Sequence, residues 1–160
     1  MLLGLIADTH GHLPANLADV FAGCELILHA GDIGGSQVLA ELERIAPVLA
    51  VLGNNDWLSE YPKLPLERRL LLAGVSIYLA HEPVTVQRYL RGCTGRNGAP
   101  TLPDLCIHGH THLPQNEIVR AQHWLCPGSA FRPRGGSRRS VARLDLDNGR
   151  ILNINFQVVE

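Results

Sequence analysis

"LLGLIADTHGHLPANLADVFAGCELILHAGD", residues 2–32, holds two apolar runs, and each halts at an aspartate, Asp8 and Asp32. The runs "LLGLIA" (2–7) and "ELILHA" (25–30) lack the polar alternation of a half-wetted strand, so they read as strands buried on both faces. Between them "ANLADVFAG" (15–23) follows Pro14, a residue suited to a first helical turn, and predicts a helix. The pattern then repeats. "SQVLAELERIA" (36–46), which Ser36 can cap and Pro47 ends, predicts a second helix, and "VLAVLG" (48–53) a third strand. Strand, helix, strand, helix, strand implies parallel pairing and an α/β fold.

From residue 66 onward the pattern changes. "LERRLLLA" (66–73) and "VSIYLAH" (75–81) meet at Gly74 as a predicted hairpin, and a short helix-like "VTVQRYLRG" (84–92) follows. "GCTGRNGAPTLP" (92–103) reads as a surface excursion before strand-like "DLCIHG" (104–109) resumes. The tail "SVARLDLDNGRILNINFQVV" (140–159) alternates with period two on both sides of Asn148-Gly149, a strong hairpin signal.

A chain of 160 residues suits one domain, 1–160, with a sizeable core. Hydrophobic content of 46% with 18% charged residues excludes disorder and fibrous repeats. A net charge of -1 leaves no global field to draw the protein onto nucleic acid or an anionic membrane, so any phosphate affinity must be local. Cys24, Cys93, Cys106 and Cys126 form no CxxC pair and read as reduced thiols. The seven-residue opening run has no basic flank and stops at Asp8, which predicts neither a signal peptide nor a membrane span and a cytoplasmic location.

The polar residues at the strand ends are the most informative feature. "ADTHGH", "AGDIGG", "LGNND", "LAHEP" and "HGHTH" each set ionisable or amide side chains beside glycine where an apolar run stops. Singly, each has a structural explanation as a helix cap, a turn or a solvent-facing histidine. Jointly they mark one site, because ligands of open α/β sheets bind outside the carboxyl ends of the strands. Carboxylate, imidazole and amide oxygen together suit divalent transition metals.

The ordered motifs "DTHGH", "GD", "GNND", "AHEP" and "GHTHLP", followed by "PGSAFRPR", resemble the calcineurin-like metallophosphoesterases, nearest to their small bacterial and archaeal phosphodiesterase branch, to which the retromer scaffold subunit is related. The resemblance implies a four-layer α/β/β/α sandwich with two packed mixed β-sheets and a dinuclear metal centre. It implies that Asp8, His10 and His112 hold one divalent ion, that Asn54, His81 and His110 hold the other, and that Asp32 bridges them. The ions expected are Mn²⁺, with Ni²⁺, Co²⁺, Fe²⁺ or Zn²⁺ as alternatives. A hydroxide between them would attack phosphorus in line with the leaving oxygen.

Three departures stand out. Asn55 occupies the position where larger relatives carry a histidine that assists the leaving group; Glu82 and Pro83 follow His81 in place of Gly-His; Cys126 replaces an asparagine before Pro-Gly-Ser. The missing acid favours phosphodiesters or activated esters over alkyl monoesters unless another group gives the proton. His12, in the first metal loop, is the candidate donor, with plain exposure as its alternative. Asp56 is a candidate for orienting water or a ligand, with a plain turn as its alternative. His108 lies outside the "GHTH" motif and reads as a histidine packed beside the site, with a contact to a ligand or to substrate as its alternative. Arg132 and Arg134, in a run with Arg138 and Arg139, are candidates for receiving the substrate anion; the alternative is a solvated loop. No aromatic stacking platform accompanies them, so a small phosphoester and not nucleic acid is the expected partner; no membrane contact is expected, and homo-oligomers stay open. The other functions weighed are a phosphomonoesterase acting on a nucleotide or sugar phosphate and a non-catalytic interaction scaffold.

Overall fold

The computed structural model describes residues 1–95 and 98–160. Strand β1 (Leu2–Ile6), helix α1 (Leu17–Val20), β2 (Leu26–His29), α2 (Ser36–Leu42) and β3 (Val48–Ala50) follow the predicted order. Then come β4 (Glu67–Leu72), β5 (Val75–Ala80), α3 (Pro83–Gly92), β6 (Leu105–Ile107), β7 (Pro114–Val119), β8 (Gln122–Pro127), β9 (Ser140–Asp147) and β10 (Arg150–Val158). Residues 96 and 97 of the expected surface loop lie outside the described residues.

The strands form two mixed five-stranded sheets, ordered β10-β9-β1-β2-β3 and β4-β5-β6-β8-β7. β1, β2 and β3 run parallel in the first, as do β5, β6 and β8 in the second. Hairpins supply the antiparallel strands. Asn148 and Gly149 take φ of 47° and 75° between β9 and β10, the left-handed pair that a two-residue turn matching strand twist requires.

Leu3, Leu5, Leu28, Ile77, Leu79, Ile107, Leu125 and Leu144 meet between the sheets, fully out of water. At about 25 cal/mol per Å² of apolar surface, each such side chain contributes roughly 1.5–3 kcal/mol. The outer face of the first sheet packs Ile6, Ile27, Val38 and Leu42 around Phe21. The outer face of the second packs Tyr78, Cys106 and Trp124 with Val86 of α3. Helices, sheet, sheet and helix thus form the four layers expected.

Two expected helices are shorter than their sequence patterns. Helix α1 covers only Leu17–Val20, because the Ala15 N–H is taken by the Glu160 carbonyl at 2.7 Å and Gly23 turns the chain at φ 79°. Ser36 does not cap α2. Gly35 is the N-cap, and the Gly35 and Ser36 N–H groups donate to Tyr61 Oη (2.7 Å) and Glu60 Oε1 (3.2 Å). Tertiary acceptors have replaced the local cap.

Candidate metal centre

All the parallel strands point their carboxyl ends to one edge, and the loops leaving β1, β2, β3, β5 and β6 meet there. Backbone bonds zip them together: Asp8 N–H to Gly31 O (3.0 Å), His10 N–H to Asp32 O (3.0 Å), Gly109 N–H to His81 O (3.0 Å). Asp8, His10, Asp32, His110 and His112 all have left-handed backbone, with φ between 45° and 66°. That conformation costs about 1 kcal/mol or more for a residue with a Cβ, and it persists where the surroundings overdetermine it, as functional sites do.

Asp8, His10, Asp32 and His112 offer ligand atoms that all lie within 4.8 Å of one another. His112 Nε2 is 3.2 Å from Asp8 Oδ1, and its Nδ1 donates to the Arg132 carbonyl, which fixes the tautomer and leaves Nε2 facing the carboxylate. His10 Nε2 is buried, 3.9 Å from Asp32 Oδ2, and without a hydrogen-bond partner among the described residues. A buried ring nitrogen with nothing to bind, set beside two carboxylates and a second imidazole, fits a divalent cation.

A second group shares Asp32. His81 Nε2 lies 3.5 Å from Asp32 Oδ1 and 3.0 Å from Asn54 Oδ1, and His110 Nδ1 lies 2.9 Å from the same amide oxygen. His81 Nδ1 donates to Ala30 O at 2.7 Å, again leaving Nε2 for the site. The seven residues expected as ligands are therefore gathered into two adjoining clusters, with Asp32 in both.

Electrostatics divide the carboxylates. Burial pushes Asp8 up to about 7, against the pull of nearby His81. Burial acts on Asp32 in the same direction, but hydrogen bonds from His81 and Asn55 and the His81 charge overcome it and hold Asp32 well below the usual carboxylate range. His10 and His112 are lowered by burial, which favours the neutral, ligating form. Burial lowers His81 too, yet the bond and charge of Asp32 raise it overall.

Several supporting residues were not legible in sequence. Asn55 donates its N–H to Asp32 Oδ1 (2.9 Å) and its Nδ2 to Oδ2 (2.7 Å). Gly53 admits no side chain, because a Cβ there would sit 2.2 Å from Asp32 N and Oδ1. Ser129 Oγ donates to Asp8 O (2.9 Å) and accepts the Arg132 N–H (2.8 Å); its only sequence signal was its place in "PGSAFRPR". Beneath the loops, Gly31 N–H donates to His29 Nδ1 (3.2 Å), so His29 Nε2 carries the proton to Thr9 Oγ1 (2.9 Å), and Thr9 donates to Ile33 O (2.9 Å). Burial lowers His29 to about 3, which keeps this relay neutral.

The remaining candidates separate. Arg132 and Arg134 line a cavity of about 330 Å³ with His10, Asp32, Asn54 and Asn55. Arg138 instead approaches Glu160 at 3.9 Å, and Arg139 lies 5.3 Å over the Phe131 ring. His12 is not brought into that cavity: its ring stacks on Phe131 at 4.0 Å, and its Nδ1 lies 2.9 Å from His10 O. Stacking on Phe131, and not a place in the cavity lining, is what the structure gives His12. Asp56 also stays out of the cavity, its carboxylate accepting the N–H groups of Ile33, Gly34 and Gly53 at 2.8–3.1 Å. It staples the Asp32 loop to the Asn54 loop. His108 is buried between Gln115 Oε1 (2.7 Å) and the edge of Trp124, away from the carboxylates. Cys126 lies under the histidine loop, 3.6 Å from Thr111 Oγ1, and burial raises its thiol to about 11.

Two mixed sheets in four layers, with paired carboxylate and imidazole clusters at their strand ends, define a metallophosphoesterase fold and site. The chain belongs to the calcineurin-like phosphoesterase superfamily, whose domain profile matches residues 1–149. A probable metallophosphoesterase of Methanocaldococcus jannaschii is 35% identical over 153 residues, covering 92% of this chain and 77% of that one. Phosphodiesterase YfcE of Escherichia coli is 28% identical over 184 residues, 99% of this chain and 95% of YfcE. The solved structure of YfcE superposes over the full length of both chains with a TM-score of 0.70 at 25% identity. Vps29 of Entamoeba histolytica, solved in complex with Zn²⁺, shares the fold with a TM-score of 0.74 at 19% identity, covering 98% and 97% of the two chains.

Proposed function

We propose that this phosphoesterase is a dinuclear metal-dependent phosphodiesterase. The observation that carries the reading is Asp32, whose two carboxylate oxygens stand between one cluster of Asp8, His10 and His112 and another of Asn54, His81 and His110. Divalent cations held by these residues would supply Lewis acidity toward phosphoryl oxygens and would lower the pKa of a bound water so that it could serve as the nucleophile. Mn²⁺ is the expected ion, and Zn²⁺, Ni²⁺, Co²⁺ and Fe²⁺ suit the same nitrogen and oxygen donors.

The chain's own residues do the rest. His112 and His81 present fixed Nε2 atoms because their Nδ1 protons are held by the Arg132 and Ala30 carbonyls. Asn55 orients Asp32 without offering a proton of useful acidity. Arg132 and Arg134 receive the anionic ester at the cavity mouth. Among the described residues the one carboxylate lining that cavity is Asp32, held ionised by His81 and Asn55, so it offers no proton to a poor leaving group, which favours diesters and activated esters over alkyl monoesters. The likeness to YfcE supports the diester reading.

The test is hydrolysis of aryl phosphodiesters and monoesters with one common leaving group, across Mn²⁺, Ni²⁺, Co²⁺ and Zn²⁺. Diester turnover that exceeds monoester turnover and disappears in Asn54→Ala and His81→Ala is the expected result. Absence of diester hydrolysis with every ion rejects the reading. A small phosphoester is the partner proposed.

A further inference from the structure

Asn54 has a cavity on each side. The first, of about 330 Å³, carries Arg132 and Arg134 beside His10 and His110. The second, of about 320 Å³, is lined by Leu52, Leu66, Glu67, His81, Glu82, Thr85 and Arg88, and it reaches the same candidate metal cluster from the other side. The clefts are nearly equal in volume and opposite in character. The first has two guanidiniums at its rim. The second has two carboxylates against one guanidinium, with the exposed Leu66 beside them, and no ion pair within 4 Å joins Arg88 to Glu67 or Glu82 among the described residues. Glu67 is held in place by the Tyr78 hydroxyl, which donates to its Oε2 at 2.5 Å.

We infer that the Glu67–Glu82 cleft is the subsite for one ester arm of the substrate and selects a small cationic amino-alcohol group there, while the phosphate faces Arg132 and Arg134. The inference rests on the phosphodiesterase reading and specifies its substrate class. A diester has two arms on one phosphorus, and Asn54 lines both clefts, so the two arms can lie to either side of it. An arm carrying a quaternary ammonium satisfies both features of the second cleft: its charge lies near two carboxylates and its methyl groups lie against the exposed Leu66 side chain. Thr85 adds a hydroxyl for the ester oxygen side. An anionic arm would meet net repulsion in the same place.

The experiment compares p-nitrophenyl phosphorylcholine with ethyl p-nitrophenyl phosphate on the metal-loaded protein. In both, water oxygen bonds to phosphorus, the P–O(aryl) bond breaks, and nitrophenolate leaves with the bonding pair, so only the retained arm differs. The choline ester is expected to have the higher kcat/KM, by about five-fold, the upper range for a solvent-exposed charge contact. The advantage should vanish in the double variant Glu67→Gln/Glu82→Gln. A ratio near one in the parent protein, or an advantage unchanged in the variant, overturns the inference. Choline alone, titrated into the metal-loaded protein and followed by amide NMR, should shift Leu66 and Thr85. Absence of those shifts overturns the subsite whether or not either ester is hydrolysed, which keeps its failure distinct from failure of the phosphodiesterase reading.

Discussion

Asn55 clasps both oxygens of Asp32, N–H to Oδ1 at 2.9 Å and Nδ2 to Oδ2 at 2.7 Å. The same carboxylate must face His81 and His10. Asn55 is thus a positioning residue for the shared ligand. Asn55→Ala should weaken ion binding or turnover by about 10- to 100-fold, the usual effect of losing a partner that orients a ligand. Metal titration should register it as well as kinetics, and an unchanged ion affinity would remove Asn55 from this role.

Two ions per chain are expected by elemental analysis. Asp32→Asn should lower the content toward zero, because both clusters lose a ligand, and His110→Ala should leave one ion. His108→Ala should leave two, since its ring bonds Gln115 and not the site. One ion per chain in that variant would show that His108 ligates.

Ion binding should release protons near neutrality. Asp8, pushed up to about 7 by burial, and His81, raised by Asp32, both hold protons in the metal-free chain at pH 6, and an ion must displace them. Affinity should therefore rise through pH 7. Calorimetry in buffers of different ionisation enthalpy checks this: proton release should be larger at pH 6 than at pH 8.

Gly53→Ala should be far worse than an ordinary loop substitution. A Cβ at 2.2 Å from Asp32 N and Oδ1 has no flexible partner to push aside, so Asp32 must move. Loss of most activity together with a lower ion content is expected, whereas retention of both would show that the loop re-forms around the methyl.

Arg132→Ala and Arg134→Ala should raise KM by roughly ten-fold with kcat largely kept, as for contacts made equally in the ground and transition states. The His112 tautomer survives Arg132→Ala, because its acceptor is the Arg132 backbone carbonyl. Arg138→Ala, with its side chain directed to Glu160, should change neither parameter.

His29 sets an acid limit on stability. Its folded value is lowered from 6.5 to about 3 by complete burial, so between those pH values the unfolded chain binds the proton and the folded chain does not. Stability present above pH 6.5 is lost as pH falls, by about 1.4 kcal/mol per pH unit for this group. In metal-stripped protein, His29→Gln keeps a donor for Thr9 and should flatten the acid limb of a melting-temperature profile by that amount. An identical limb would place the titration elsewhere.

The buried strands, both clear hairpins and the types of side chain at each strand end are legible in the amino-acid order. Burial leaves a local pattern: an apolar run such as "LLGLIA" can only be covered on both faces, and Asn148-Gly149 alone suffices for its turn. The order of motifs also carried the expected ligand set. Tertiary structure alone decided what those residues touch. His12 and His10 are two positions apart in sequence, yet one ring stacks on Phe131, over a hundred residues away, while the Nε2 of the other is buried beside Asp32. Asp56 and Asn55 are neighbours, yet one ties two loops and the other clasps a ligand. The register of parallel strands, Ile6 beside His29 and His29 beside Ala50, fixes which loop tips converge. No local propensity encodes that register or the left-handed backbone it imposes on five of the candidate ligands, because both arise from packing between segments distant in sequence.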